Sequence, residues 1–136
     1  MGTHTCPGKI TKASAFKRIY RVLFYSFGPQ HWWPAKTPFE VMVGAILVQN
    51  TNWKNAERAI DQLKARHLLT PEKLSALNVK ALADHIRPAG YFNVKAKRLK
   101  NFLSFFIGHY GGSVKRMKAC DGAKLRRELL SINGIG

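Results

Sequence analysis

A helix that carries apolar residues on every side leaves a chain few ways to fold, because such a helix has to be surrounded. Phe39 to Val48 is a run of this kind. Thr37-Pro38-Phe39-Glu40 gives it a complete start: Thr as N-cap, Pro at the first helical position, and Glu placed to close a capping box. The run predicts a central, buried helix with the rest of the chain packed around it.

The rest of the chain supplies helices. Phe16, Ile19, Tyr20, Leu23, Phe24 and Phe27 recur at helical spacing until Gly28-Pro29 stops the pattern. Lys17, Arg18 and Arg21 lie on the opposite, solvated face. After a loop over residues 30–36 and the central helix, the polar cluster Gln49-Asn50-Thr51-Asn52 leads into a helix from about Trp53 to Arg66. Thr70-Pro71 starts another, to about Leu77, and Asn78 caps one from Val79 to Ile86. Arg87-Pro88-Ala89-Gly90 breaks that helix. Asn93 is placed to cap a longer one, about Val94 to Gly108, with Lys97, Arg98 and Lys100 on its polar side. Ser113 to Cys120 reads as one or two turns, and Asp121 caps a last helix to Leu130. No run alternates at period two. The expectation is an all-α chain of about seven short helices. Residues 1–12 read as a loose basic tail, 13–28 as an N-terminal helix, and 37–136 as an incomplete helical bundle.

Charge narrows the partner. Lys and Arg number 23 against 7 Asp and Glu, a net charge of +16. That excess favours a polyanion, nucleic acid before an anionic membrane surface. No apolar run reaches the roughly 18 residues of a membrane span, and no long basic amphipathic helix with interfacial Trp supports a membrane-surface role. Cys6 and Cys120 form neither a disulfide framework nor a metal motif. Together with the lack of a secretory apolar region, this places the protein inside the cell, in the cytoplasm or nucleoid.

Four stretches carry chemistry. Gln49 and Asn50, at the end of a buried helix, have amides that donate and accept, which suits base edges; Asn50, Thr51 and Asn52 are equally suited to capping a helix. Tyr91 and Phe92 at a Gly-marked turn, followed by Lys95, Lys97, Arg98 and Lys100, form an aromatic and basic edge. Tyr91 is its candidate base contact and Lys95 a candidate DNA contact, while Phe92 is equally suited to packing on its helix. Trp32, Trp33 and Trp53 offer flat faces for a base pocket, or ordinary core filling. Ile132-Asn133-Gly134-Ile135-Gly136, after a basic helix, reads as a phosphate-binding turn through Gly134 and Gly136.

In this order the pieces resemble the helix-hairpin-helix DNA glycosylases of the endonuclease III superfamily, over residues 13–136. The motifs are FEVMVGAILVQNTNW at 39–53, RPAGYFNVKAKR at 87–98, and the terminal Leu-x-x-Ile-x-Gly-Ile-Gly. Trp-Trp-Pro, Gln-Asn-Thr and the aromatic at 53 look most like the endonuclease III-type 3-methyladenine DNA glycosylases. The resemblance implies base excision repair: cleavage of the N-glycosidic bond of a damaged base, here an alkylated one, after flipping it from double-stranded DNA. It gives Gln49 the hole-filling role and Tyr91 the second wedge, where the family usually has an aliphatic residue. It gives Gly134 and Gly136 the phosphate, often with a monovalent cation, and Trp32, Trp33 and Trp53 the walls of the base pocket. An aromatic wall suits an alkylated purine, which is positively charged.

The family's catalytic aspartate, the lysine of its lyase-active members and the cysteines of its iron–sulfur cluster all fall beyond Gly136. The expectation is therefore an N-terminal portion that holds DNA without catalytic residue, metal or cofactor of its own. An iron–sulfur cluster would arise only in a longer form. Without the family's later helices, apolar surface on helices 16–27 and 123–130 would lie open. No obligate protein partner is implied. The rival reading is a non-catalytic basic helical module that binds nucleic acid.

Overall fold

The structure is a computed structural model and describes residues 12–30 and 33–136. Among the described residues it is all-helical, without a strand. The α-helices are α1 (Lys12–Phe27), α2 (Pro38–Leu47), α3 (Trp53–Ala65), α4 (Pro71–Ala76), α5 (Val79–His85), α6 (Phe92–Tyr110), α7 (Val114–Lys118) and α8 (Gly122–Leu130), and a single 3-10 turn spans Arg87–Ala89. Eight α-helices thus stand where about seven were expected, because the one or two turns read over Ser113 to Cys120 form a helix of their own, α7. Two units divide the chain, one ending at Pro34 and the other running over residues 35–136.

The first unit is built on α1. None of its residues is buried, and Phe16 and Phe27 are each 70% exposed. Tyr20 and Phe24 stack at 5.8 Å between ring centroids. The basic tail expected before it lies outside the described residues, except for Lys12, which opens the helix.

The second unit is organised by α2 and α6. α2 packs on α3 and α6, and buries Phe39, Val43, Gly44, Ile46 and Leu47. α6 meets α2, α4, α5, α7 and the 3-10 turn. Phe39, Phe106 and Phe102 form a continuous aromatic stack, with centroid separations of 5.9 and 5.5 Å. The caps expected from sequence at Thr37, Thr70, Asn78 and Asp121 each accept a backbone N–H in the first turn, as do Asn52, one of three candidates for its helix, and Ser113. α8 closes against the bundle through Leu125 and Leu129, and the Tyr110 hydroxyl donates to Glu128 Oε2 at 2.6 Å. That bond, reinforced by Cys120, pushes the Tyr110 phenol above the usual tyrosine range.

Three local expectations are corrected. Asn93 does not cap α6: the helix begins at Phe92, two residues before Val94, and runs through Gly108 to Tyr110. Gly111 and Gly112, both at positive φ, stop it instead. Lys100 is not a solvated cation, since its ammonium donates to the carbonyls of Ser75 and Leu77 at the end of α4. Finally, the Glu40 N–H donates to Thr37 Oγ1 as a capping box requires, but its carboxylate reaches past Thr37 to the Lys36 N–H at 3.1 Å.

Glu40 is only 3% exposed, and its other oxygen pairs with Lys64 of α3. The pair pins the start of α2 to the end of α3. Glu40→Ala orphans the Lys36 N–H and strips Lys64 of its partner. Because the lysine still reaches solvent, the expected loss is about 2 kcal/mol, below that of a fully buried ion pair. Urea unfolding of the variant measures it.

Candidate nucleic-acid interface

The end of α2 and the start of α6 meet at a cleft of about 360 Å³, lined by Gln49, Asn50, Tyr91, Val94, Lys95 and Arg98. The local geometry sorts the polar cluster after α2. Asn52 accepts from Asn55 N at 3.0 Å and caps α3, and Thr51 Oγ1 accepts from Asn55 Nδ2 at 3.1 Å. Capping thus takes Asn52, and Thr51 braces the same turn. Asn50 is exposed with φ +53, and Gln49 turns toward the C-terminal glycine turn.

Tyr91 faces Asn50 across this rim and shares its conformation, at φ +44 with its ring 72% exposed. Left-handed backbone is costly for any side chain with a Cβ, and more so for a bulky one than for Asn. Of the three non-glycine residues at positive φ among the described residues, two therefore stand on this one cleft; the third, His67, ends α3. Strain concentrated on a cleft marks a place where the backbone serves side-chain placement. Phe92, next in sequence, turns inward against the core, under the Arg87 guanidinium at 5.2 Å.

Lys95 is a correction. Instead of projecting toward a phosphate, it is 1% exposed, and its ammonium donates to Leu47 O at 2.8 Å and Ala89 O at 2.6 Å. Those carbonyls end α2 and the 3-10 turn, where intrahelical donors run out. Burial, and then the nearby Arg98 guanidinium, lower its pKa from the ordinary lysine value. Lys95 forms the floor of the cleft and braces its two walls.

The glycine turn docks on the other side of Gln49. Ile132 is buried in the core, and Ile135 N–H closes the turn on Ile132 O at 3.0 Å. Asn101 Nδ2 donates to Asn133 O at 3.2 Å and Gln49 Nε2 to Gly134 O at 3.0 Å. Because a trans peptide sets N–H opposite C=O, the inward Asn133 carbonyl turns the Gly134 N–H away from α6. Gly134 sits at φ +99, and a Cβ there would fall 2.2 Å from Arg98 Cγ. At Gly136 a Cβ would meet Leu130 O at 3.2 Å. Close approach thus requires glycine at 134, whereas at 136 it makes only a tight contact.

The aromatic pocket is only partly described. Trp32 lies outside the described residues. Trp33 lines an apolar groove in the first unit with Tyr20, Leu23, Phe24 and Phe27. Trp53 is the half-buried first residue of α3.

The family profile of HhH-GPD superfamily base excision DNA repair proteins matches residues 43–131, from the middle of α2 to the last residue before the glycine turn. The chain belongs to this superfamily. This HhH-GPD protein is 49% identical over 129 residues to a candidate DNA repair glycosylase of Methanocaldococcus jannaschii, covering 94% of the chain and 59% of the relative. It is 30% identical over 99 residues to endonuclease III of Thermotoga maritima, covering 73% of the chain and 42% of the enzyme. Its fold matches a crystal structure of the H. pylori 3-methyladenine DNA glycosylase bound to 1,N6-ethenoadenine, with TM-score 0.70 and 27% identity, over 90% of this chain and 58% of that one. The chain thus spans under two thirds of the length of each.

Two residues that join the cleft to the glycine turn went unassigned in sequence: Arg98 and Asn101. Their signal was present, since Tyr91, Val94, Arg98 and Asn101 recur at i, i+3, i+7 and i+10 on one face of α6. The iron–sulfur cluster does not fit this chain, because two cysteines cannot supply four thiolates.

Proposed function

We propose that this chain engages double-stranded DNA at damaged, alkylated purines, as the DNA-opening part of a base excision glycosylase. One observation carries the reading: Gln49, Asn50 and strained Tyr91 stand on a single cleft, and Gln49 is bonded directly to the glycine turn. A polar amide, an exposed ring and an outward N–H of the turn are the chemistry needed to fill a gap in a base stack while holding a phosphate. The net charge of +16 supplies the general attraction to DNA. The 3-methyladenine glycosylase fold match supports an alkylated purine as the lesion. The chain works inside the cell, on the nucleoid.

The carboxylates of the chain point to binding without base release. Glu40 is tied to Lys64, Asp84 to Arg87, Glu128 to Tyr110, and Asp121 caps α8. Glu57, Asp61 and Glu72 are exposed on α3 and α4. None lines the cleft, so no group there stabilises the cationic sugar that forms as a base leaves.

Fluorescence anisotropy with intact duplex, the same duplex carrying one abasic site, and single-stranded RNA tests the proposal. Wild type is expected to prefer the abasic duplex. Tyr91→Ala is expected to lower that preference about tenfold, the worth of one stacked or wedged ring, with intact-duplex binding little changed. Equal affinity for all three probes would sink the proposal and leave a general nucleic-acid-binding module. Release of 3-methyladenine from alkylated DNA by this chain would overturn the assignment of binding without catalysis.

A further inference from the structure

Arg98 lies between the two parts of the interface. Its guanidinium NH1 donates to Gln49 Oε1 at 2.6 Å, and Gln49 Nε2 donates in turn to Gly134 O at 3.0 Å. Its aliphatic stem lies under Gly134, so close that a Cβ on the glycine would fall within 3 Å of three Arg98 carbons. One side chain therefore meets the turn twice, through packing and through the Gln49 amide.

We infer that Arg98 is a positioning residue that sets the orientation of the Gln49 amide and joins it to the glycine turn as one rigid unit. An amide has one accepting end and one donating end. A cation at the oxygen fixes which end is which, and only that orientation aims the NH2 at the Gly134 carbonyl. Without the cation the amide is free to rotate, and an inverted amide would set two acceptors against each other. The arrangement costs something, because Arg98 also stands near the buried Lys95 ammonium and disfavours its charge. With Arg98 present, the residue that fills the stack and the turn that holds the phosphate move together.

This inference rests on the proposed engagement of DNA, and its experiment separates the two. Arg98→Met keeps the stem beneath Gly134 and removes the donor. In the DNA-free 136-residue chain, amide hydrogen exchange at Gly134, Ile135 and Gly136 is expected to quicken about tenfold, as for loss of one charged hydrogen bond. Affinity for the abasic duplex is expected to fall about tenfold, and Gln49→Ala/Arg98→Met to bind no worse than Gln49→Ala, since neighbours acting as a unit are non-additive. Asn101→Ala, which frees the Asn133 carbonyl without touching Gln49, reports the effect of simply loosening the turn. It should leave the Gln49–Arg98 coupling intact.

Unchanged exchange in Arg98→Met overturns the inference. So does full additivity with Gln49→Ala, which would make Arg98 a direct phosphate contact. If wild type fails to bind duplex DNA, the functional proposal falls, while the exchange result still decides whether Arg98 holds the turn.

Discussion

Lys95→Met is expected to destabilise the chain by roughly 3–5 kcal/mol. Methionine fills most of the lysine's volume, so little of the loss comes from a cavity. The loss comes from the carbonyls of Leu47 and Ala89, which lose their donor in the interior at about 1–3 kcal/mol each. Urea unfolding followed by circular dichroism measures it, and a loss under about 1 kcal/mol would mean that other donors satisfy these carbonyls. The pH dependence has a definite sign. Burial lowers the folded-state pKa of Lys95 from 10.5. Between the two values the unfolded chain binds more protons than the folded one, so the contribution of Lys95 to stability grows as pH rises toward 10.5 and is smallest below its folded pKa. The gap between wild type and Lys95→Met should widen in that window. The difference between the two profiles isolates Lys95 from Tyr110, whose raised pKa works the other way, its contribution being full below pH 10.0 and lost above it.

Gly134→Ala should be the most damaging single change to the interface. The added methyl would fall 2.2 Å from Arg98 Cγ, and the backbone at φ +99 is hostile to alanine in any case. Either the turn lifts off α6, breaking the Gln49 and Asn101 bonds, or Arg98 is expelled and Gln49 loses its orientation. The expected outcome is at least about tenfold weaker binding to abasic duplex and a loss of about 2–3 kcal/mol in stability, the sum of one strained backbone position and one lost hydrogen bond. Arg98→Ala in the same chain removes the contacts with Cγ and Cδ but leaves the one with Cβ at 2.9 Å and the backbone strain, so it should restore part of the stability and little of the binding. Full recovery of binding in the double variant would mean that the turn needs no support from Arg98.

Most of the fold was legible because it is written in local chemistry. Thr37-Pro38, Thr70-Pro71, Asn78 and Asp121 each announce a helix start with a side chain that reaches only three residues along. The central helix was legible in its place and its start, but its burial is one-sided: Phe39, Val43, Gly44, Ile46 and Leu47 are buried while Val41 and Ala45 are exposed. α6 was misjudged at both ends, since Asn93 is a good cap by type, yet tertiary packing of Phe92 starts the helix without one. The site was legible where position settles exposure, as for Tyr91 at a Gly-marked turn. It was not legible for Lys95, Lys100 and Arg98, which look alike in sequence. What separates them is which carbonyls or amides lie at the far end of each stem, tens of residues away: Leu47 for Lys95, Ser75 and Leu77 for Lys100, Gln49 for Arg98. A basic helix face states its charge but not its destinations.

Tyr91 holds a backbone shape that glycine would hold with about 1–2 kcal/mol less strain. A lineage selected only for keeping its fold would drift toward glycine at this position and lose the ring without penalty. A tyrosine there is a standing cost in strain that glycine would avoid. Comparing libraries screened for folding with libraries screened for DNA engagement would show whether the ring is kept only under the second screen.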